Sequence, residues 1–241
     1  MGWYAAGNRF IGTLLIPASV LGSALYPRLC RLFNQDIGEY GRTLRSSLRP
    51  LLWLGAFAVV GTWLFADLAV SIVYGRTGYA PAVVILKAAA PGLMLTFVNM
   101  ILGGAMLAAH RHKPLAILKL VSLAVAAILD LLLVPFCESH WGNGGLGISL
   151  SSSVSELFML VPLAILTPAV DGSAVSQMVR AGVAATGSVL AATAFEHFAG
   201  PWHILAGLLV FALLSVLLGL VGSSDFNLLR DAVRSRQRAQ P

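Results

Sequence analysis

Residues 115–136 read LAILKLVSLAVAAILDLLLVPF, a run in which only Lys119, Ser122 and Asp130 are polar. A helix needs about 20 apolar residues to cross the hydrocarbon core of a bilayer, and this stretch is long enough. The rest of the chain has the same character: of 241 residues, 58% are hydrophobic and 11% charged, with a mean hydropathy of +0.84. A soluble domain carries about 25% charged residues, so this surface is not made for water. A membrane β-barrel would show short alternating segments in place of long unbroken runs. The expected fold is all-α, a polytopic membrane helix bundle of about seven transmembrane helices.

Working outward, seven apolar segments emerge at 3–27, 51–74, 82–109, 115–136, 144–169, 180–199 and 203–222. Between them lie stretches such as GRTGYAP, HRHKP and CESHWGNGG, which collect the Gly, Pro and charge that end membrane helices. Arg28, Arg31, Arg42, Arg45, Arg49, Arg111, Lys113, Arg180 and the arginines of the tail fall on one side of this topology, against Arg76 in the loops of the other. Cationic loops stay in the cytoplasm, which places the C-terminus inside and Met1 outside. The net charge of +6 thus serves topology, and nucleic acid is not an expected partner. Cys30 and Cys137 fall on opposite membrane faces, which excludes a disulfide between them. In residues 31–50, Phe33, Ile37, Tyr40, Leu44 and Leu48 recur at helical spacing among arginines, the pattern of an amphipathic helix lying in the interface. The expected divisions are residues 1–169 with this interfacial segment, two further helices in 170–222, and a basic cytoplasmic tail, 223–241.

Charges inside the membrane carry the functional reading. Arg9 lies in AAGNRFIGTLLIP, residues 5–17. Gly12, Thr13, Ile16, Val20, Ser23 and Pro27 share its side of a helical wheel, while Phe10, Ile11, Leu14, Leu15, Leu21 and Leu25 lie opposite. That division predicts a bulky side toward lipid and a small side inward, with a kink at Pro17. A guanidinium matches a phosphate with paired hydrogen bonds, so Arg9 is a candidate for an anionic ligand. Asp67, Lys87, Asp130 and Glu196 also fall within spans, and such charges are costly in a membrane. Asp67 and Lys87 flank one turn at comparable depth and suit a salt bridge. Ser149, Ser152, Ser153 and Glu156 form one polar stripe, fit to line a cavity, to bond a neighbouring helix or to couple a proton. Asn99, beside Gly103 and Gly104, suits the same purposes.

The chain has no G-x-x-x-x-G-K-[ST] loop for nucleotide phosphates. HRH at 110–112 sits in a tight turn with Lys113 and Pro114, so no metal site is expected there. Without a nucleophile–base constellation, no enzyme activity and no cofactor are expected.

GWYAAGNRFIGTLLIPASVLGSALYPRLCRLF, YGRTGYAPAVVILKAAAPGLMLTFVNMILGGAMLAAHRHKPLAILKLVSLAVAAILDLLLVP and GNGGLGISLSSSVSELFMLVPL together resemble polysaccharide flippases of the multidrug/oligosaccharidyl-lipid/polysaccharide exporter superfamily. The matched features are a recurring helix with a mid-span Pro, then G-x-x-Y-x-x-A and L-[RK]-x-x-A, an Asn-containing span, and a Gly-rich opening that leads to a Glu. They cover about residues 2–165, and the last two spans match in position and hydrophobicity. The resemblance implies two helical lobes rocking about a cavity that carries an undecaprenyl-diphosphate-linked oligosaccharide. It implies substrate contacts for Arg9, Lys87 and Asn99, and cavity or coupling roles for Asp130 and Glu156. Asp130 stands where the family usually has Asn, and a pairing with Arg9 or Lys87 is one consequence to expect. On this resemblance the chain corresponds to the C-terminal lobe plus two extra helices. The expected partners are the lipid-linked oligosaccharide, membrane lipids and an N-terminal lobe from the same or another chain. The reading is therefore a fragment or truncation of an inner-membrane flippase, with a lipid II flippase or a non-transporting scaffold as alternatives.

Overall fold

A computed structural model describes residues 2–75, 78–167, 170–199 and 202–220, apart from the side chains of 197–199. Arg76 and the basic tail lie outside the described residues. Eight helices follow in order: α1 (Gly2–Leu14), α2 (Ile16–Gln35), α3 (Ile37–Tyr74), α4 (Ala80–Ala108), α5 (His112–Trp141), α6 (Gly144–Leu166), α7 (Gly172–Ala199) and α8 (His203–Leu217). There is no strand among the described residues. Six helical segments are long and apolar enough to cross a membrane, α1 and α2 counting as one of 34 residues, and α8 is a shorter apolar helix. The chain is a multi-pass helical membrane protein.

The break between α1 and α2 falls at Leu15, just ahead of Pro17. Proline has no N–H to give to the carbonyl four residues earlier, here that of Thr13, so the long helix divides there.

α3 and α4 form the inner pair, and α5 is peripheral. Leu48, Leu52, Phe97, Ile101 and Leu102 are fully or almost fully buried where α3 and α4 meet. Lipid is as apolar as leucine, so helices in a membrane associate through close packing and hydrogen bonds. Glycines supply the closeness: a Cβ at Gly92 of α4 would fall 2.6 Å from Ser153 Oγ of α6, and one at Gly147 of α6 would fall 2.6 Å from the Leu133 carbonyl of α5.

Two ends of the bundle are marked by their bonds. At one, Trp3 Nε1 donates to Gly78 O at 2.7 Å and Asn143 Nδ2 to Pro81 O at 3.2 Å. At the other, arginines close helix C-termini, where the last carbonyls lack intrahelical donors. Arg111 reaches Leu166 O at 2.6 Å, Arg49 reaches Gly219 O at 2.6 Å and Leu220 O at 3.2 Å, and Arg180 reaches Leu218 O at 3.4 Å. Arg45 pairs with Asp171 at 3.1 Å.

The amphipathic stretch 31–50 differs from the single interfacial helix expected of it. It divides at Asp36, whose Oδ1 accepts from the N–H groups of Gly38 (2.8 Å) and Glu39 (3.0 Å) and starts α3. From there α3 runs without a break through Pro50 to Tyr74. At 1.5 Å per residue its 38 residues span about 57 Å, well beyond a hydrocarbon core of about 30 Å. Tyr40, Leu44 and Leu48 are buried in protein, and Tyr40 donates its hydroxyl to Ala105 O of α4 at 2.9 Å.

Candidate functional site

The residues singled out by sequence fall at four places. Asn99 is buried in α4, and its Nδ2 donates to Glu156 of α6 twice, to Oε2 at 2.6 Å and to the backbone carbonyl at 2.9 Å. These two residues are brought together as an inter-helix clamp. Ser149, Ser152, Ser153 and Glu156 share one small cavity of about 90 Å³, walled on the other sides by Tyr4, Gly7, Asn8 and Ile11 of α1 and by α4. The polar stripe read from their spacing is therefore a cavity wall.

A second cavity, about 480 Å³, lies further along α4 toward the arginine-capped end. Ser19, Ser23 and Tyr26 of α2, Asn99, Gly103 and Gly104 of α4, and Lys119 of α5 line it. The Asn99–Glu156 bond stands between the two cavities, since Glu156 belongs to the first wall and Asn99 to the second.

Asp130 pairs with neither Arg9 nor Lys87. Its Oδ1 accepts a short hydrogen bond from Ser151 Oγ, fixing α5 to α6. Ser151 is fully buried, and sequence reading passed over it. Ser122 of α5 and Ser155 of α6 give the signal that was available, because Ser122 Oγ donates to Ser155 O at 3.2 Å along the same seam. Polar residues repeat on both facing helices.

Lys87 turns away from the two cavities. Its Nζ lies 2.8 Å from Asp67 Oδ2 of α3, the pairing that their flanking of one turn suggests. Both line a third cavity, about 230 Å³, which Trp63, Thr193, Glu196 and His203 complete. Lys87 and Asn99, about 18 Å apart along α4 at 1.5 Å per residue, therefore serve different neighbours.

Arg9 corrects the expected helical wheel. Most of the bulky side faces the bundle: Ile11, Leu14, Leu15 and Leu25 pack against the core cluster, while Leu21 is exposed. The small side, with Arg9, Gly12, Thr13, Ile16, Val20 and Ser23, is exposed. An apolar stripe cannot distinguish protein from acyl chains as its neighbour, and here it found protein. The Arg9 guanidinium has no hydrogen-bond or ion-pair partner among the described residues. Asn8, its neighbour in the chain, lines the first cavity.

The exposed faces of the two least-buried helices are chemically distinct. The membrane-length window of α5 is 0% buried, and its exposed face carries Ile117, Leu120, Leu123, Ile128, Leu131 and Leu132. That of α1–α2 is 6% buried, yet its exposed face interleaves Asn8, Arg9, Thr13, Ser19 and Ser23 with Ile16 and Val20. Aliphatic side chains suit acyl chains; a guanidinium with serines and a threonine suits water or another protein surface.

No family model matches this sequence, and no curated protein matches it either.

Proposed function

We propose that the chain is one lobe of a bacterial inner-membrane flippase that moves a lipid-linked oligosaccharide, of the undecaprenyl-diphosphate type, for surface polysaccharide assembly. The observation that carries this reading is the exposed polar face of α1–α2 with its unpartnered Arg9. A cation costs at least about 2.5–3.5 kcal/mol at mid-membrane. A helix that exposes one while packing most of its leucines inward has a wet or protein neighbour on that side. A second lobe opposite this face would enclose a chamber with Arg9 on its wall, positioned for a diphosphate. Alternating access needs two bodies about one site, and the partner lobe comes from the same or another chain. The arginine-capped end faces the cytoplasm on the positive-inside rule, which also puts the C-terminus there. The protein makes and breaks no covalent bonds; it moves its cargo.

The test is Arg9→Ala in cells that depend on this protein for surface polysaccharide. Export should fall to background while the variant still inserts in the membrane, and lipid-linked sugar should accumulate facing the cytoplasm. Normal export with Arg9→Ala would reject the reading and favour a scaffold, for which this side chain is dispensable.

A further inference from the structure

The third cavity, about 230 Å³, lies between α4 and α7, two helices that do not pack against one another. Asp67 of α3, Lys87 of α4, Thr193 and Glu196 of α7 and His203 of α8 line it. Lys87 gives one N–H to Asp67 Oδ2, and an ammonium has three, so two are left. The Glu196 carboxylate has no hydrogen-bond or ion-pair partner among the described residues. It nonetheless lies on a helix of membrane length, where an unpaired charge is costly. Thr193 donates its hydroxyl to Leu190 O at 3.0 Å and presents lone pairs beside it.

These charges are ordered by depth. Glu196 is three residues from the α7 end at Ala199, and Lys87 is seven from the α4 start at Ala80. At 1.5 Å per residue they lie about 5 Å and about 10 Å inside this end of the bundle. Trp63, which also lines the cavity, is one turn deeper on α3 than Asp67. Going inward, the wall reads carboxylate, then ammonium, then indole. An aminophospholipid reads the complementary order: ammonium outermost, then phosphate, then glycerol and acyl chains. We propose that this cavity seats the headgroup of one phosphatidylethanolamine, its ammonium on Glu196 and its phosphate on the two remaining N–H donors of Lys87. Charged pockets between transmembrane helices hold lipid headgroups.

The lipid bridges α4 to α7 where no side-chain bond among the described residues does. Below the headgroup, Leu68 on the rim is half exposed and offers an apolar surface to the acyl chains. Selectivity follows from the same charges. A choline ammonium has no N–H to give Glu196. A headgroup that is only anionic adds negative charge to a wall with two carboxylates, Asp67 and Glu196, against one lysine. The site owes nothing to the flippase reading.

The full chain, delipidated in mild detergent, is titrated with phosphatidylethanolamine, phosphatidylcholine or phosphatidylglycerol of matched acyl chains, and bound lipid is counted by native mass spectrometry. A single phosphatidylethanolamine should bind saturably and about tenfold more tightly than either other lipid, the difference that a hydrogen bond to a charged group makes. Glu196→Gln should lower that affinity about tenfold and leave phosphatidylcholine unchanged. Glu196→Lys should turn the preference toward phosphatidylglycerol. Both substitutions fall on an exposed side chain, and unchanged helical circular dichroism confirms the fold. Equal binding of the three lipids, binding that does not saturate at one, or full affinity for phosphatidylethanolamine in Glu196→Gln would overturn the proposal. Free phosphoethanolamine at the same concentration should leave the lipid in place; displacement would assign the cavity to a soluble ligand and overturn the lipid. No lipid-linked sugar enters the assay, so its failure leaves the flippase reading standing, and normal export by Arg9→Ala leaves the lipid site standing.

Discussion

Gly147→Ala tests the tightest helix contact in the bundle. A methyl group at this position of α6 would fall 2.6 Å from the Leu133 carbonyl oxygen, 2.7 Å from its carbon and 2.8 Å from Val134 Cα. All three are backbone atoms of α5, so no side-chain rotation relieves the clash. To reach ordinary contact at 3.4 Å, α5 and α6 must part by about 0.8 Å there. One turn further along, Ser151 reaches Asp130 across the same seam, and the separation stretches that bond too. Overpacking costs about 1–3 kcal/mol, and with backbone on backbone the upper half of that range, about 2–3 kcal/mol, is expected. The assay is unfolding by titration of a denaturing detergent into mixed micelles, followed by circular dichroism. Gly104→Ala in α4 is the control, because its added methyl meets nothing within 4 Å. It should unfold within about 0.5 kcal/mol of wild type, or slightly later, since alanine is the better helix former. If Gly147→Ala unfolds together with Gly104→Ala, the contact geometry is wrong.

The other predictions concern polar seams and caps. Ser151→Ala should cost about 1–2 kcal/mol, because it leaves Asp130 inside the bundle without its α6 donor. Asp130→Asn keeps an acceptor and should cost less, and a double-mutant cycle in which the double effect equals the sum of the two single effects would show no coupling and refute the pair. Asp171 starts α7, its Oδ1 accepting from Ser173 Oγ at 2.6 Å and from the N–H groups of Ser173 and Ala174 at 3.1 Å each. The Ser173 hydroxyl first, then the Ala174 N–H and Arg45, hold this carboxyl below its ordinary range. A depressed folded value means that its contribution is complete above the ordinary carboxylate pKa, about 3.9, and is lost as pH falls through the folded value. The stability gap between wild type and Asp171→Asn should thus be widest at neutral pH and close on acidification. A gap that stays constant or widens in acid would refute this.

The spans themselves were readable in sequence. The run 82–109 became Ala80–Ala108, and 144–169 became Gly144–Leu166, because length and hydropathy measure the bilayer directly. What ran past the bilayer was harder to read. Pro50 looked like a helix boundary, yet α3 passes through it. The stretch 170–179 falls between two of the apolar segments, yet α7 starts within it, at Gly172 under the Asp171 cap. Asp36 and Glu39, spaced as a capping box, were the overlooked sign of the α3 start. Depth brought Asp67 and Lys87 together because one short turn joins their helices. No such shortcut relates Asn99 to Glu156, 57 positions apart, or Asp130 to Ser151. Those pairs depend on which helices become neighbours. The facing of Arg9 depended on whether leucines meet protein or lipid, and composition is silent on that.

Arg49, Arg111 and Arg180 each seal the open carbonyl end of α6 or α8, and under the proposed orientation the same charges would also bias which way the chain threads. A hairpin inserted upside down would carry its arginine to the wrong leaflet and leave a frayed helix terminus behind. Under that orientation a threading error is also a packing defect, because the displaced arginine leaves helix-end carbonyls without donors.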